Sequence, residues 1–171
     1  MRGTVAKCVE RFVVETYGAK AWKDCLQQVN LPATYNISVM SEVDDRISLR
    51  LLNEIHEVLG LTHETYTDKL AKYWMLVYAP ETYKPFYRSI KTLPDFLQKL
   101  DWIHQFMVKD NSKNTPRFSV KKIAEGLIQI EYQSERNLHV LFKYMLIYLA
   151  EYFKQPVQIK YLNEGVVQVG F

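Results

Sequence analysis

The chain has 171 residues, 48% hydrophobic and 24% charged, with a net charge of +3, which excludes a disordered protein and leaves enough chain for one domain with a sizeable core. Lys and Arg are scattered rather than gathered into a stripe, so no nucleic-acid partner is expected. Only Cys8 and Cys25 occur, far apart, which argues against a disulfide framework and against a thiolate zinc site.

The first twenty residues carry Arg2, Lys7, Glu10 and Arg11 between apolar positions, the pattern of an amphipathic helix rather than a signal peptide. No run reaches the ~20 apolar residues of a membrane span; the longest lies around 73–80. A reducing, cytoplasmic setting without membrane contact is expected. Val5, Val9, Phe12, Val13 and Thr16 recur at helical spacing over 2–17, and Gly18 is a plausible stop. A second helix is predicted from about Ala19 to Val29, closed by Asn30-Leu-Pro32. Ser41-Glu-Val-Asp44 places acidic residues at the positive end of a helix from Ile47 to Leu59, which Gly60 ends. Thr62 caps the next helix, where Tyr66, Leu70, Trp74 and Tyr78 form an i, i+4 stripe.

Pro80 and Pro85 break that pattern. Thr92 then caps a helix with Pro94 in its first turn and Leu93, Phe96, Leu97, Leu100, Ile103, His104 and Met107 on its apolar face. Asp110-Asn-Ser-Lys-Asn-Thr-Pro116 reads as a loop that divides the chain. Beyond it the period changes: Phe118 to Ile123 and Leu127 to Tyr132 read as strands joined around Gly126. An apolar helix follows from Asn137 to Phe153, with Leu138, Leu141, Phe142, Met145 and Leu149 on one side and Pro156 as its stop. Residues 157–161 and 166–169 alternate like a hairpin around Asn163-Glu-Gly165. The expected class is α+β: a helical N-terminal half, then an antiparallel β-sheet with an inserted helix. The whole is one domain, with a helical subdomain over about 1–60 and a second part over about 61–171.

No phosphate-binding glycine loop, nucleophile elbow or H-E-x-x-H motif is present. His56 and His63 lie seven apart near a helix junction, with Glu54, Glu57 and Glu64 close by. A metal pair there is conceivable, although two solvated histidines are the commoner outcome. His139 reads as a surface or core-edge residue. His104 stands in the middle of a strongly apolar face, where an imidazole must find a partner or cost a few kcal/mol. Alone, such a histidine is more often a core residue satisfied by a backbone carbonyl. Tyr132-Gln-Ser134-Glu-Arg136 closes the second strand, and alternation points Tyr132 and Ser134 to one face, with Arg136 beside them if the strand holds. Two hydroxyls and a guanidinium suit carboxylates. Together with a lone histidine they suit a molecule with an iron centre and carboxylate tails, which describes haem.

On these residues the chain resembles the H-NOX family, the haem-nitric oxide/oxygen binding domains that include the sensory domain of soluble guanylate cyclase. The likeness runs through Met1-Arg-Gly, Tyr17-Gly18 with Trp22, Phe96-Leu-Gln-Lys-Leu-Asp-Trp-Ile-His104, Thr115-Pro116-Arg117-Phe118 and, most specifically, Tyr132-Gln-Ser-Glu-Arg136. The resemblance implies haem b, with His104 as proximal iron ligand and Tyr132, Ser134 and Arg136 on the propionates. It also implies Pro116 against the porphyrin, and Val5, Val9, Trp74, Leu141 and Met145 along the distal side. Oxygen-binding members carry a Tyr where this chain has Leu141, so NO and CO are the expected gas ligands and a stable O2 complex is not. The chain ends at Phe171, short of where members usually finish, and it lacks the C-terminal Cys/His zinc cluster that some carry. No attached cyclase or kinase domain is expected, so a non-enzymatic sensor is expected to act on a separate protein, a histidine kinase or a diguanylate cyclase, through release of His104. A haem enzyme acting on peroxide or NO, and a haem-free interaction module, are the rival expectations. The first would want a distal acid–base pair that the resemblance does not supply.

Overall fold

A computed structural model describes residues 1–108 and 116–171, with no side chains described at Met107 and Val108. The predicted loop from Asp110, Thr115 of the Thr115-Pro116 motif and the side chain of Met107 therefore lie outside the described residues. The chain forms two compact units, Met1–Trp74 and Met75–Phe171. Helices build the first; a four-stranded antiparallel sheet with further helices builds the second, which makes the class α+β.

In the first unit α1 (Gly3–Gln28) runs through the predicted stop, but Gly18 takes φ 91° and ψ 164°, so two helices meet there at a kink. A left-handed φ of this kind suits glycine, which has no Cβ to clash. Ala6, Cys8, Val9, Phe12 and Val13 are buried before the kink, and Trp22, Cys25 and Leu26 after it. Gly3 is required for a different reason. A Cβ there would lie 2.0 Å from the Ser38 carbonyl oxygen, while its own N–H donates to the Ser41 carbonyl at 2.8 Å. The second helix, α2 (Asp45–Asn53), is capped by the Asp44 carboxylate, which accepts from Arg46 N. It ends six residues before the predicted Leu59, in turns that lead to Gly60 at φ 66°. Arg50 on α2 donates to the Gln28 and Val29 carbonyls, the exposed acceptors at the end of α1.

Thr62 caps α3 (His63–Tyr73) as predicted, its side chain accepting from Thr65 N. The buried Tyr66 donates its hydroxyl to the Leu51 carbonyl at 2.8 Å, and the Phe12 ring packs against Tyr17, Tyr66 and Tyr73. The stripe Tyr66, Leu70, Trp74 and Tyr78 is buried throughout, although the helix widens into a π-helical turn over Trp74–Tyr78.

Pro80 and Pro85 do not merely interrupt. Each stands in the first turn of a short helix, α4 (Ala79–Thr82) and α5 (Lys84–Ser89), where a missing N–H costs nothing. The helix predicted over Leu93–Met107 is two: α6 (Leu93–Gln98), capped by Thr92, and α7 (Leu100–Val108). Lys99 leaves helical geometry at φ −95° and ψ 2° between them. The sheet holds β1 (Arg117–Ala124), β2 (Leu127–Gln133), β3 (Gln158–Asn163) and β4 (Val166–Gly170) in the order β1-β2-β4-β3. The last helix, α8 (His139–Tyr152), lies between β2 and β3 in sequence. Its start is later than the predicted Asn137 because Asn137 takes φ 50°. One face of the sheet is apolar, with Ile128, Ile130 and Tyr132 buried on β2 and Val167 and Val169 on β4. Register pairs Ile128 with Val169 and Ile130 with Val167. Each such buried side chain contributes about 1.5–3 kcal/mol.

Candidate functional site

The site begins with the joint between α7 and β1. Asp101 accepts from the Phe118 backbone N–H at 2.8 Å through Oδ1 and from the Arg117 guanidinium at 2.9 Å through Oδ2. Gln105 donates to the Pro116 carbonyl at 3.0 Å. These residues flank His104 on the same helix, so the angle at which His104 leaves α7 is tied to the first turn of the sheet. Pro116 itself is buried beside that joint.

His104 turns its ring edge toward Phe118, with centroids 5.2 Å apart. Its Nδ1 is shut away from solvent and has no hydrogen-bond partner. The backbone carbonyl that would make it an ordinary core histidine is therefore missing at that atom. Burial pushes its pKa down to about 4; Asp101 pulls it up, while Arg136 and Arg117 push it further down. The imidazole is thus neutral near pH 7 and carries a free lone pair, the form in which histidine binds metals. A closed-off polar atom without a partner costs about 1–3 kcal/mol. With Nδ1 closed off, Nε2 is the ring nitrogen left for a metal, and it would be a single protein ligand: among the described residues, no group of three or more His, Cys, Asp and Glu gathers to hold a metal.

Tyr132, Ser134 and Arg136 come together, but not by strand alternation alone. Strand β2 stops at Gln133, and a turn follows in which Ser134 Oγ accepts from Arg136 N at 3.1 Å. The strand thus does not hold as far as Arg136, and a side-chain turn at Ser134 takes its place. Burial pushes the Tyr132 phenol up, against the opposing pull of a hydrogen bond with Ser134, the charge of Arg136 and a backbone bond at Leu138. The phenol stays protonated and can donate. Arg136 acts on both Tyr132 and His104, which places the guanidinium within electrostatic reach of each. Two hydroxyls and one guanidinium beside a neutral imidazole have the donors to hold a carboxylate next to a nitrogen with a free lone pair.

Aromatic rings wall this cradle. Phe118, Tyr132 and Phe142 pack at 5.2–5.5 Å, with Tyr132 stacked on Phe142 at 19°. His139, which the sequence suggested as a surface or core-edge residue, sets its ring at 88° to Tyr132, and Gly165 passes so close that an added Cβ would meet the Tyr132 carbonyl at 2.8 Å. Asp101 and Gln105 were also missed. The one signal for them was their spacing about His104, three residues before and one after. On the outer side of α7, Trp102 and Phe106 are exposed and form a three-ring cluster with Phe86.

The residues expected on the gas side are placed as follows. Val5 is half-buried and Val9 fully buried, one turn apart on α1, and Trp74 is buried at the end of the first unit. Leu141 is buried and Met145 half-buried, one turn apart on α8 in the second unit.

Comparison with known proteins bears on what such a site holds. The family model described as haem-NO-binding matches residues 2–161. Among solved structures, an oxygen-binding H-NOX domain related to soluble guanylate cyclases, in its oxygen complex, aligns with TM-score 0.85 at 20% identity, covering 100% of this chain and 95% of that one. A Cs H-NOX mutant carrying the unnatural amino acid 4-cyano-L-phenylalanine aligns at 0.83 and 20% identity, covering 100% and 96%. An H-NOX protein from S. oneidensis in the Fe(II)NO ligation state aligns at 0.83 and 13% identity, covering 99% and 97%. No curated protein sequence matches. Among the described residues, no helix is long and apolar enough to cross a membrane.

Proposed function

Because this chain belongs to the haem-NO-binding, or H-NOX, family of haem-based gas-sensor domains, we propose that it is a nitric oxide sensor whose signal passes to a separate protein through release of His104. The domains of this family sense rather than catalyse. The observation that carries the reading is a half-buried, neutral His104 beside the Tyr132, Ser134 and Arg136 cluster.

Haem b, when bound, supplies a ferrous iron that takes a diatomic gas and two propionate carboxylates that need donors. His104 gives the iron its lone pair. Tyr132 and Ser134 donate hydroxyl hydrogens to the carboxylates, and Arg136 adds a planar fork that a lysine would not reproduce. Pro116, whose carbonyl accepts from Gln105, is the residue the family likeness would set against the porphyrin. The family likeness assigns Val5, Val9, Trp74, Leu141 and Met145 to the gas side. Leu141 brings no hydroxyl to polarised O2, which favours NO and CO, ligands with little need of a donor. A neighbour solved with NO on ferrous iron supports this choice; the neighbour solved with oxygen marks the alternative that Leu141 speaks against.

Signalling needs a ligand that favours one of two protein states. His104 would provide the difference, as the ligand to the iron in one state and not in the other. Once released, it no longer anchors α7, and the Asp101 and Gln105 bonds carry any shift of that helix into β1. A separate histidine kinase or cyclic-di-GMP enzyme reads the change.

The test is the absorption spectrum of anaerobic, reduced protein before and after NO. An intense Soret band that shifts with NO is the expected result. A colourless protein that takes up no added haem overturns the proposal and leaves a haem-free interaction module in its place.

A further inference from the structure

The first unit carries an arrangement that gas sensing does not use. His56 lies in the turns after α2 and His63 opens α3; their ring centroids are 5.4 Å apart and their planes stand at 87°. One residue orients both rings. His56 Nδ1–H donates to the Asn53 backbone carbonyl at 2.9 Å, and His63 Nε2–H donates to the Asn53 side-chain oxygen at 3.3 Å. Both Asn53 atoms are acceptors only, so each imidazole carries its proton on the nitrogen that faces Asn53. The lone pairs are left on His56 Nε2 and His63 Nδ1. Holding one ring nitrogen on a carbonyl while the other stays free is how proteins orient histidines that ligate metals.

The spacing agrees with this use. At a metal–nitrogen distance of about 2.0–2.1 Å and a tetrahedral angle, two imidazole centroids stand roughly 5 Å apart. Charge agrees as well. Residues 53–64 hold Glu54, Glu57 and Glu64 and no Lys or Arg, so the segment that carries both rings is acidic in sequence, and Glu54 pairs with Arg50. His63 is exposed and His56 half-buried, so water can complete the coordination. We infer that His56 Nε2 and His63 Nδ1 form a two-histidine site for a zinc-type divalent cation, oriented by Asn53, which joins the end of α2 to the start of α3. Its ligands lie wholly within the first unit, so it stands independently of the haem reading.

The same ring spacing also serves a plain edge-to-face contact, and His63→Phe separates the two because it keeps a ring and removes the nitrogen. The experiment is calorimetric titration of the chain as purified with Zn2+, the Soret region being recorded on the same sample. The expected result is one Zn2+ bound per chain, uptake lost in His63→Phe and in His56→Gln, and affinity weakened about tenfold or more in Asn53→Leu. No uptake by the unaltered chain, undiminished uptake in either histidine variant, or an Asn53→Leu protein that binds as tightly as the original overturns the assignment. A missing Soret band with zinc uptake intact would fault the haem reading alone.

Discussion

Asp101 holds the helix that carries His104 against the first strand, and the strength of that hold can be apportioned. Of its two bonds, the one to Arg117 joins a side chain that is 62% exposed to one that is 26% exposed. An ion pair in that setting contributes about 0.5 kcal/mol, since water screens it and two mobile side chains must be ordered. The other bond runs from the Phe118 backbone N–H to a carboxylate at 2.8 Å in partly buried surroundings. A hydrogen bond to a charged group is worth about 1.5–3 kcal/mol, and its removal strands the N–H. Asp101→Ala is therefore expected to cost about 2 kcal/mol and Arg117→Ala no more than about 0.5 kcal/mol. Asp101→Asn, which keeps a neutral acceptor for Phe118, should fall between. Urea denaturation of the three variants, compared at equal m-value, reads the differences as shifts in midpoint. If Arg117→Ala costs as much as Asp101→Ala, the latch is the ion pair and this apportionment is refuted.

The folded pKa of His104, about 4, lies below that of an unfolded histidine, so the unfolded chain binds more protons between about pH 6.5 and 4. Its stabilising share is thus complete above about pH 6.5 and is lost as pH falls toward 4; haem-free His104→Leu protein should show a flatter loss of urea stability across that window. Gly165→Ala puts a Cβ 2.8 Å from the Tyr132 carbonyl at a φ of 85°, and thermal unfolding should show it destabilised by about 1–3 kcal/mol. Leu141→Tyr adds a hydroxyl on α8 and is expected to yield an oxy spectrum in air that the unaltered chain does not give. Arg136→Lys replaces a fork with a point charge, and transfer of haem to an apo-globin acceptor should run at least tenfold faster; an unchanged rate would remove Arg136 from the propionate contact.

The helices announced themselves where caps and glycines obey simple rules. Thr62 and Thr92 accept from the N–H groups their positions predict, and Gly18 breaks α1 with a positive φ. Both hairpins followed from alternation about Gly126 and Gly165. The failures were local and physical. Nothing in the pattern from Leu93 to Met107 reveals that Lys99 leaves the helix, because its apolar period continues across the break. Asn53 ends α2 early although the apolar residues continue, with Ile55 buried from a turn instead of a helix. The proximity of Tyr132, Ser134 and Arg136, and a neutral His104 within reach of the Arg136 charge, were foreseeable from one lone histidine and a Y-x-S-x-R run. Their supports were not: Asp101 acts on a backbone N–H seventeen residues away, and Ser134 works through a turn rather than through strand alternation. Side chains that bind the main chain elsewhere leave no periodic trace.

The exposed face of α7 has a practical consequence. The chain has three tryptophans, and Trp22 and Trp74 are 7% and 9% exposed, whereas Trp102, two residues from His104, is 57% exposed. A collisional quencher dissolved in the buffer will therefore reach Trp102 in preference to the other two. Its fluorescence makes the helix that carries His104 optically visible without any label, and under the proposed switch a change in quenching on adding gas would report a movement of that helix.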